Sequence, residues 1–268
     1  MAQQTADEVR SYQLDDRYLA TEGTVVLTGL QAITRVLLDR HRIDAARGLH
    51  TAGLASGYPG SPLGGLDLTL GRARPFLQQA GIVHRPGVNE ELAASVVWGT
   101  QQSHIVGLRD GIDGIFGMWY GKSPGADRCG DVFKHANMFS VDPNGGVVAV
   151  VGDDPAAKSS SLPSQSETIF YDAAIPVLSA GSVQELLHLG LQASELSRYS
   201  GLWVAMKVVT NIADGVGAVD VDHRALRLEH PTIELDGEPW VHRRRLDTGA
   251  DATASTGSGP RRVSLIAS

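Results

Sequence analysis

Between Leu49 and Val209 short apolar runs alternate with longer amphipathic stretches. That alternation restricts the chain to repeated strand–helix units around a parallel sheet, because parallel neighbours require a crossover long enough to hold a helix. The runs that read as strands are His50–Ala55, Gly81–His84, Gly114–Trp119, Val147–Val151, Ile175–Ser179 and Trp203–Val209. The clearest helix places Val183, Leu186, Leu187, Gly190, Ala193 and Leu196 three or four apart on one face, with Ser182 as N-cap and Gly201 just past its end. An earlier helix opens with Thr28 and Gln31 at capping-box spacing and continues in the stripe Leu30, Ile33 and Leu37. The expected fold is α/β, a single doubly wound, mainly parallel sheet of about six strands with helices on both faces.

A chain of 268 residues, 42% hydrophobic and 20% charged, has the composition of a globular protein with one large domain or a domain and an appendage. No apolar run approaches the roughly 18 residues that a membrane span needs. The opening MAQQTADEVR lacks the basic patch and apolar segment of a secretory signal, so a cytoplasmic location is expected. The single cysteine, Cys129, excludes a disulfide framework, a four-cysteine zinc site and any iron–sulfur cluster held by this chain alone. A net charge of −7 argues against general nucleic-acid binding. Residues 1–22 read as a polar N-terminal arm and 23–247 as the α/β domain. The stretch 248–268, rich in Gly, Ala, Ser and Thr, reads as a disordered low-complexity tail.

Ligands of open parallel sheets bind beyond the carboxyl ends of the strands, and three loops there are unusual. Gly57-Tyr58-Pro59-Gly60-Ser61-Pro62-Leu63-Gly64-Gly65 combines rigidifying prolines with glycines that let a ligand approach the backbone, although it also suits a tight strand-to-helix turn. Gly87-Val88-Asn89-Glu90-Glu91 opens a helix continuing through Leu92, Val96 and Val97. Asn89 is a natural N-cap, and the acids suit the helix dipole or, alternatively, a protonated ring nitrogen. The third loop, Trp119 to Arg128, superficially resembles a phosphate-binding P-loop, but Gly117 and Gly121 are one residue too close and Pro124 should interrupt the helix expected around Lys122 and Ser123. Ser61 lacks the flanking glycines of a hydrolase nucleophile elbow, having Pro59 and Leu63 instead.

The histidines form no metal-binding pair, and no metal ligand set is assigned. Asp153 and Asp154 could ligate magnesium or simply end a strand in a polar turn. Cys129 reads as a packing residue, and Lys158 with the serines after it as a solvated loop.

Several segments carry a family resemblance in order: Val26-Leu27-Thr28-Gly29-Leu30-Gln31-Ala32-Ile33, the loop Gly57-Tyr58-Pro59-Gly60-Ser61-Pro62, Asn89-Glu90 with Gly99 nine residues after Glu90, and Val147 to Asp154 followed by Pro155 and serines. Over about Gly23 to Arg245 the chain resembles the pyrimidine-binding domain of thiamine diphosphate-dependent 2-oxoacid ferredoxin oxidoreductases, above all the indolepyruvate ferredoxin oxidoreductase family. The resemblance implies oxidative decarboxylation of an aryl 2-oxoacid, with the acyl group passing to coenzyme A and the electrons to iron–sulfur clusters and ferredoxin. It implies that Glu90 is the catalytic acid pairing with the aminopyrimidine nitrogen, with Glu91 as the competing acid. Tyr58, Pro59, Gly60, Ser61, Asn89 and Glu90 are the implied cofactor-binding residues, and Ser61, Lys122 and Arg128 the implied substrate contacts.

The chain has no Gly-Asp-Gly with a following asparagine to bind the diphosphate through Mg2+, since Gly130-Asp131-Val132 and Gly152-Asp153-Asp154 both depart from that pattern. The resemblance therefore implies an incomplete fragment, inactive alone, that dimerises or joins diphosphate-binding and iron–sulfur domains or subunits. The other readings are a non-catalytic α/β subunit that stabilises a partner, and a flavodoxin-like nucleotide- or phosphate-binding module.

Overall fold

The unbroken apolar run Val147–Val151 can be satisfied only where both faces of a strand are covered, and that is where it lies. In the computed structural model, which describes residues 12–158, 160–226, 228 and 231–239, every residue of this strand is buried. Residues 1–11 and the whole of 248–268 lie outside the described residues.

The strands are β1 (Thr24–Thr28), β2 (Thr51–Gly57), β3 (Ile82–His84), β4 (Gly114–Lys122), β5 (Val147–Asp153), β6 (Val177–Ser179), β7 (Val204–Val209) and β8 (Val216–Asp220), with a short pair β9 (Glu234–Leu235) and β10 (Glu238–Pro239). A six-stranded sheet has the order β3-β2-β4-β5-β7-β6, and all its pairings are parallel. These six correspond to the six runs read from the sequence, with β4 and β5 extending further toward their carboxyl ends.

Helices Gly29–Ala46, Leu66–Arg72, Arg74–Gln79 and Val183–Ser200 share one core with one face of the sheet. Helices Glu90–Thr100, Gly130–Phe139 and Glu167–Asp172 share another with the opposite face. The sheet is thus doubly wound. Ser182 caps the Val183–Ser200 helix by accepting from the Glu185 amide, and Gly201 ends it in the left-handed conformation. Thr28 and Gln31 form the expected reciprocal capping box. Among the described residues no helix is long and apolar enough to cross a membrane.

Sequence reading missed the antiparallel ribbon of β1 and β8. Only Val25 and Leu27 of β1 are buried while Val26 is exposed, and β8 contains Gly217 and Ala218, so neither has the apolar weight of the central strands. Pro124 also requires a correction: it does not interrupt the helix, which begins at Ser123 and runs to Arg128. Proline at the second helical position forfeits an amide that has no intrahelical partner there. Rejection of a P-loop rests instead on the glycine spacing.

Of the stretch read as a polar arm, Asp16–Leu19 is a short helix with Tyr18 buried against Phe76. Arg35, fully buried and paired with Asp39 at 2.9 Å, donates to the Arg17 carbonyl at 2.8 Å and also to the Ala20 carbonyl. At the amino end of the sheet a second buried network joins Arg40, Asp44, Glu195 and Arg198. These charges belong to the scaffold rather than to the strand ends where ligands would bind.

Candidate functional site

The chain leaves β2 for helices on one face and leaves β4 for helices on the other, which puts a topological switch point between the carboxyl ends of these neighbouring strands. Such a topological switch point is the place where open α/β sheets bind ligands. The register aligns Gly57 at the end of β2 with Tyr120 of β4, and Lys122 at the end of β4 with Gly152 of β5. All three loops singled out in the sequence therefore meet at one edge.

The loop after β2 lies tightly over this edge. The Tyr58 amide donates to the Tyr120 carbonyl at 3.1 Å, and the Gly87 amide donates to the Gly57 carbonyl at 2.8 Å. A Cβ at Gly57 would lie 2.1 Å from the Tyr120 carbonyl oxygen, which no side chain can tolerate. At Gly60 it would lie 2.9 Å from Lys122 Cδ, so the Lys122 stem runs beneath the loop. Pro62 and Leu63, after a cis Ser61–Pro62 bond, pack over Gly152. Tyr58 and Pro59 are exposed, and Gly60 and Ser61 half-buried. Arg128 is exposed at the last turn of its short helix, and among the described residues no hydrogen bond or ion pair joins it to this loop.

Asn89 is the N-cap of Glu90–Thr100, its Oδ1 accepting from the Leu92 amide at 2.8 Å. That cap fixes the first turn and with it Glu90, which is only 7% exposed, whereas Glu91 points to solvent. Trp119 Nε1 donates to the Glu90 carbonyl at 3.0 Å and locks the turn against β4. A slot of two glycines holds the Glu90 side chain: a Cβ at Gly125 would lie 2.6 Å from its Cγ and 2.7 Å from its Oε1, and a Cβ at Gly121 would lie 3.6 Å from its Cγ. Cys129 lies in the same region, its thiol pushed up to about 12 by burial and then by the charges of Glu90 and Glu91, so it stays protonated and unreactive near neutral pH.

This slot was not legible beforehand, although the i, i+4 pair of glycines within the third loop was a usable signal. It yields a test. Gly125→Ala should fold, because the obstructing atoms belong to a flexible side chain, but it should displace the Glu90 carboxylate. A crystal structure and a melting curve of the variant check this, with stability expected to fall by no more than about 1–3 kcal/mol.

Leu92 and Val96, one helical turn apart on the Glu90–Thr100 helix, are 51% and 42% exposed, and Val88, just before the N-cap, is 84% exposed. The helix expected through Leu92, Val96 and Val97 is present, and of these three only Val97 enters the core. At the end of β5, Asp153 is buried and accepts from the Ser166 amide and hydroxyl, both at 3.1 Å. Burial raises its carboxyl above the usual range. Among the described residues no group of three or more His, Cys, Asp and Glu side chains is placed to hold a metal ion.

No family model matches the chain. Two curated relatives, the indolepyruvate oxidoreductase subunits IorA of Pyrococcus abyssi and Pyrococcus horikoshii, are each 30% identical over 190 residues, covering 69% of this chain. Over those residues the chain is similar to one part of a 2-oxoacid:ferredoxin oxidoreductase subunit. It spans only 25% of the length of either relative. The 2-oxoglutarate:ferredoxin oxidoreductase from Magnetococcus marinus, solved with 2-oxoglutarate, coenzyme A and succinyl-CoA bound, shares the fold with a TM-score of 0.55 over 74% of this chain and 32% of that one, at 17% identity.

Proposed function

We propose that the chain is the pyrimidine-binding half of a thiamine diphosphate site, working in the oxidative decarboxylation of an aryl, indolepyruvate-like 2-oxoacid once joined to a diphosphate-binding partner. The observation that carries the reading is the Glu90 carboxylate, buried at a helix N-terminus and seated in the Gly121/Gly125 slot at the end of β4. A carboxylate in such a place suits a flat, cationic hydrogen-bond donor, and a protonated aminopyrimidine is one. The chain offers no counterpart for a diphosphate, since both candidate Gly-Asp sequences depart from the magnesium-binding pattern. The residues present thus fit one half of the cofactor.

Bound there, thiamine diphosphate supplies a thiazolium carbon able to add to a keto group and hold the electron pair left by decarboxylation. Glu90 would hold a proton on a pyrimidine nitrogen, because a neighbouring carboxylate favours the positive form of the ring. Tyr58, Pro59, Gly60 and Ser61 present a rigid, close-approaching wall, and Lys122 beneath it supplies positive charge for a substrate carboxylate. Asn89 acts by fixing the turn that carries Glu90. Iron–sulfur clusters, coenzyme A binding and electron delivery to ferredoxin fall to other domains or subunits.

The partner belongs on the apolar strip Val88, Leu92 and Val96, which lies next to Glu90 and would shield the site from water when covered. The wild-type chain should dimerise or bind the diphosphate-binding subunit of an indolepyruvate-type oxidoreductase, and Leu92→Glu with Val96→Glu should abolish that association. Analytical ultracentrifugation across a concentration series checks it. A wild-type chain that stays monomeric with and without such a partner would contradict the assembly.

A further inference from the structure

Tyr120 lies near the carboxyl end of β4, fully buried, and touches the loop after β2 at both of its ends. Its carbonyl accepts from the Tyr58 amide at 3.1 Å, where the loop begins. Its hydroxyl donates to Oδ1 of Asp67, in the helix Leu66–Arg72 where the loop ends. Its ring occupies the volume above which only a glycine fits at position 57, since a Cβ there would lie 2.5 Å from the Tyr120 Cγ and Cδ2 atoms. The tyrosine oxygen is also 3.0 Å from Nε2 of His84, which itself lies 3.5 Å from Asp67 Oδ1. His84 is the last residue of β3, and the segment after it leads directly to Asn89 and Glu90. One residue therefore connects both ends of the loop, by its main-chain carbonyl and its hydroxyl, to the strand that leads to the carboxylate.

We infer that Tyr120, with Asp67 and His84, is a positioning residue that fixes the span of the Tyr58–Ser61 loop over the carboxyl end of β4. Three separate elements contribute the three side chains, so no local spacing in the sequence announces them. Burial, with the Asp67 charge, keeps the tyrosine protonated, and burial keeps His84 below its ordinary range despite Asp67, so the contact persists as a hydrogen-bonded unit at neutral pH. The cofactor part of the inference rests on the proposed thiamine diphosphate site, whereas the loop-fixing part does not.

The test is amide hydrogen exchange on this chain, comparing the parent with Tyr120→Phe, which keeps the ring and removes the hydroxyl. The amides of Tyr58 and Gly87 should exchange on the order of 10-fold faster, as loss of a hydrogen bond to a charged group implies, while those of Val150 and Val151 in β5 stay unchanged. Asp67→Asn, which retains an acceptor, should preserve protection, and Asp67→Ala should reproduce the loss. Asp67 is partly exposed, so Asp67→Ala also serves if Tyr120→Phe fails to fold. Unchanged protection at Tyr58 and Gly87, or uniform acceleration that includes β5, overturns the inference. In the assembled enzyme, Tyr120→Phe should weaken thiamine diphosphate affinity by about 10-fold while thiazolium C2 proton exchange at saturating cofactor stays within about 2-fold of the parent. Unaltered affinity there would overturn the cofactor part, and a parent enzyme that binds no thiamine diphosphate would overturn the proposed function while leaving the exchange result on the chain intact.

Discussion

Replacing Glu90 by Gln in a complete enzyme carrying this chain should leave a folded protein whose thiazolium C2 proton exchange and turnover fall by about 10²- to 10⁴-fold, the range that positioned acid–base groups contribute. The substitution preserves size and some hydrogen bonding but removes the charge that favours the protonated pyrimidine nitrogen. Its stability effect should be small, about 0.3–1 kcal/mol for one charge lost at a helix N-terminus. A helix-end acid with no catalytic task would show that stability change with exchange intact. Glu91→Gln is the internal control: it shares the helix end but is exposed, whereas Glu90 is buried in the glycine slot. A larger exchange defect at Glu91 than at Glu90 would reverse the assignment.

Asp44→Ala should be the most damaging change to the scaffold, costing about 3–5 kcal/mol, because it strands buried cations. Asp44, fully buried, accepts from Arg198 at 2.7 and 2.8 Å, from Arg40 at 2.6 Å and from the Thr51 hydroxyl at 2.7 Å. Glu195 pairs with Arg40 and with Arg47. By contrast, Lys134→Ala, which breaks a solvent-exposed pair with Asp172, should change stability by less than about 1 kcal/mol. Urea titration of both variants measures the difference.

The same cluster sets an acid limit. Burial tends to raise the Asp44 and Glu195 carboxyls, but the surrounding arginines outweigh it and hold both below their ordinary values of 3.8 and 4.5. In acid the unfolded chain therefore binds more protons than the folded one. The stabilisation is complete above those ordinary values and disappears as pH falls through the lower folded ones. Asp44→Ala should flatten that part of the stability profile.

The parallel sheet was legible above all because β4, β5 and β7 carry apolar runs that a doubly covered sheet buries, and the long helices because Thr28, Ser182 and Gly201 punctuate them. The ribbon of β1 and β8 was not, since half of its residues face solvent and β8 is built of small side chains. Glu90 was visible through the Asn-Glu helix opening and the family resemblance, while Tyr120, His84 and Asp67 meet only after the chain has folded. Leu92 and Val96 illustrate a different limit. Periodicity identifies an apolar helix face, but it does not distinguish the face that enters the chain's own core from one that awaits a partner.

The most direct measurement is deuterium exchange at the thiazolium C2 of thiamine diphosphate with Mg2+, followed by NMR with this chain alone, with a diphosphate-binding partner alone and with the two mixed. The account predicts background exchange with either component and strong acceleration only in the mixture, where Glu90 meets the pyrimidine of a cofactor anchored by the partner. Acceleration by this chain alone, or a stable complex that leaves exchange at background, would contradict it.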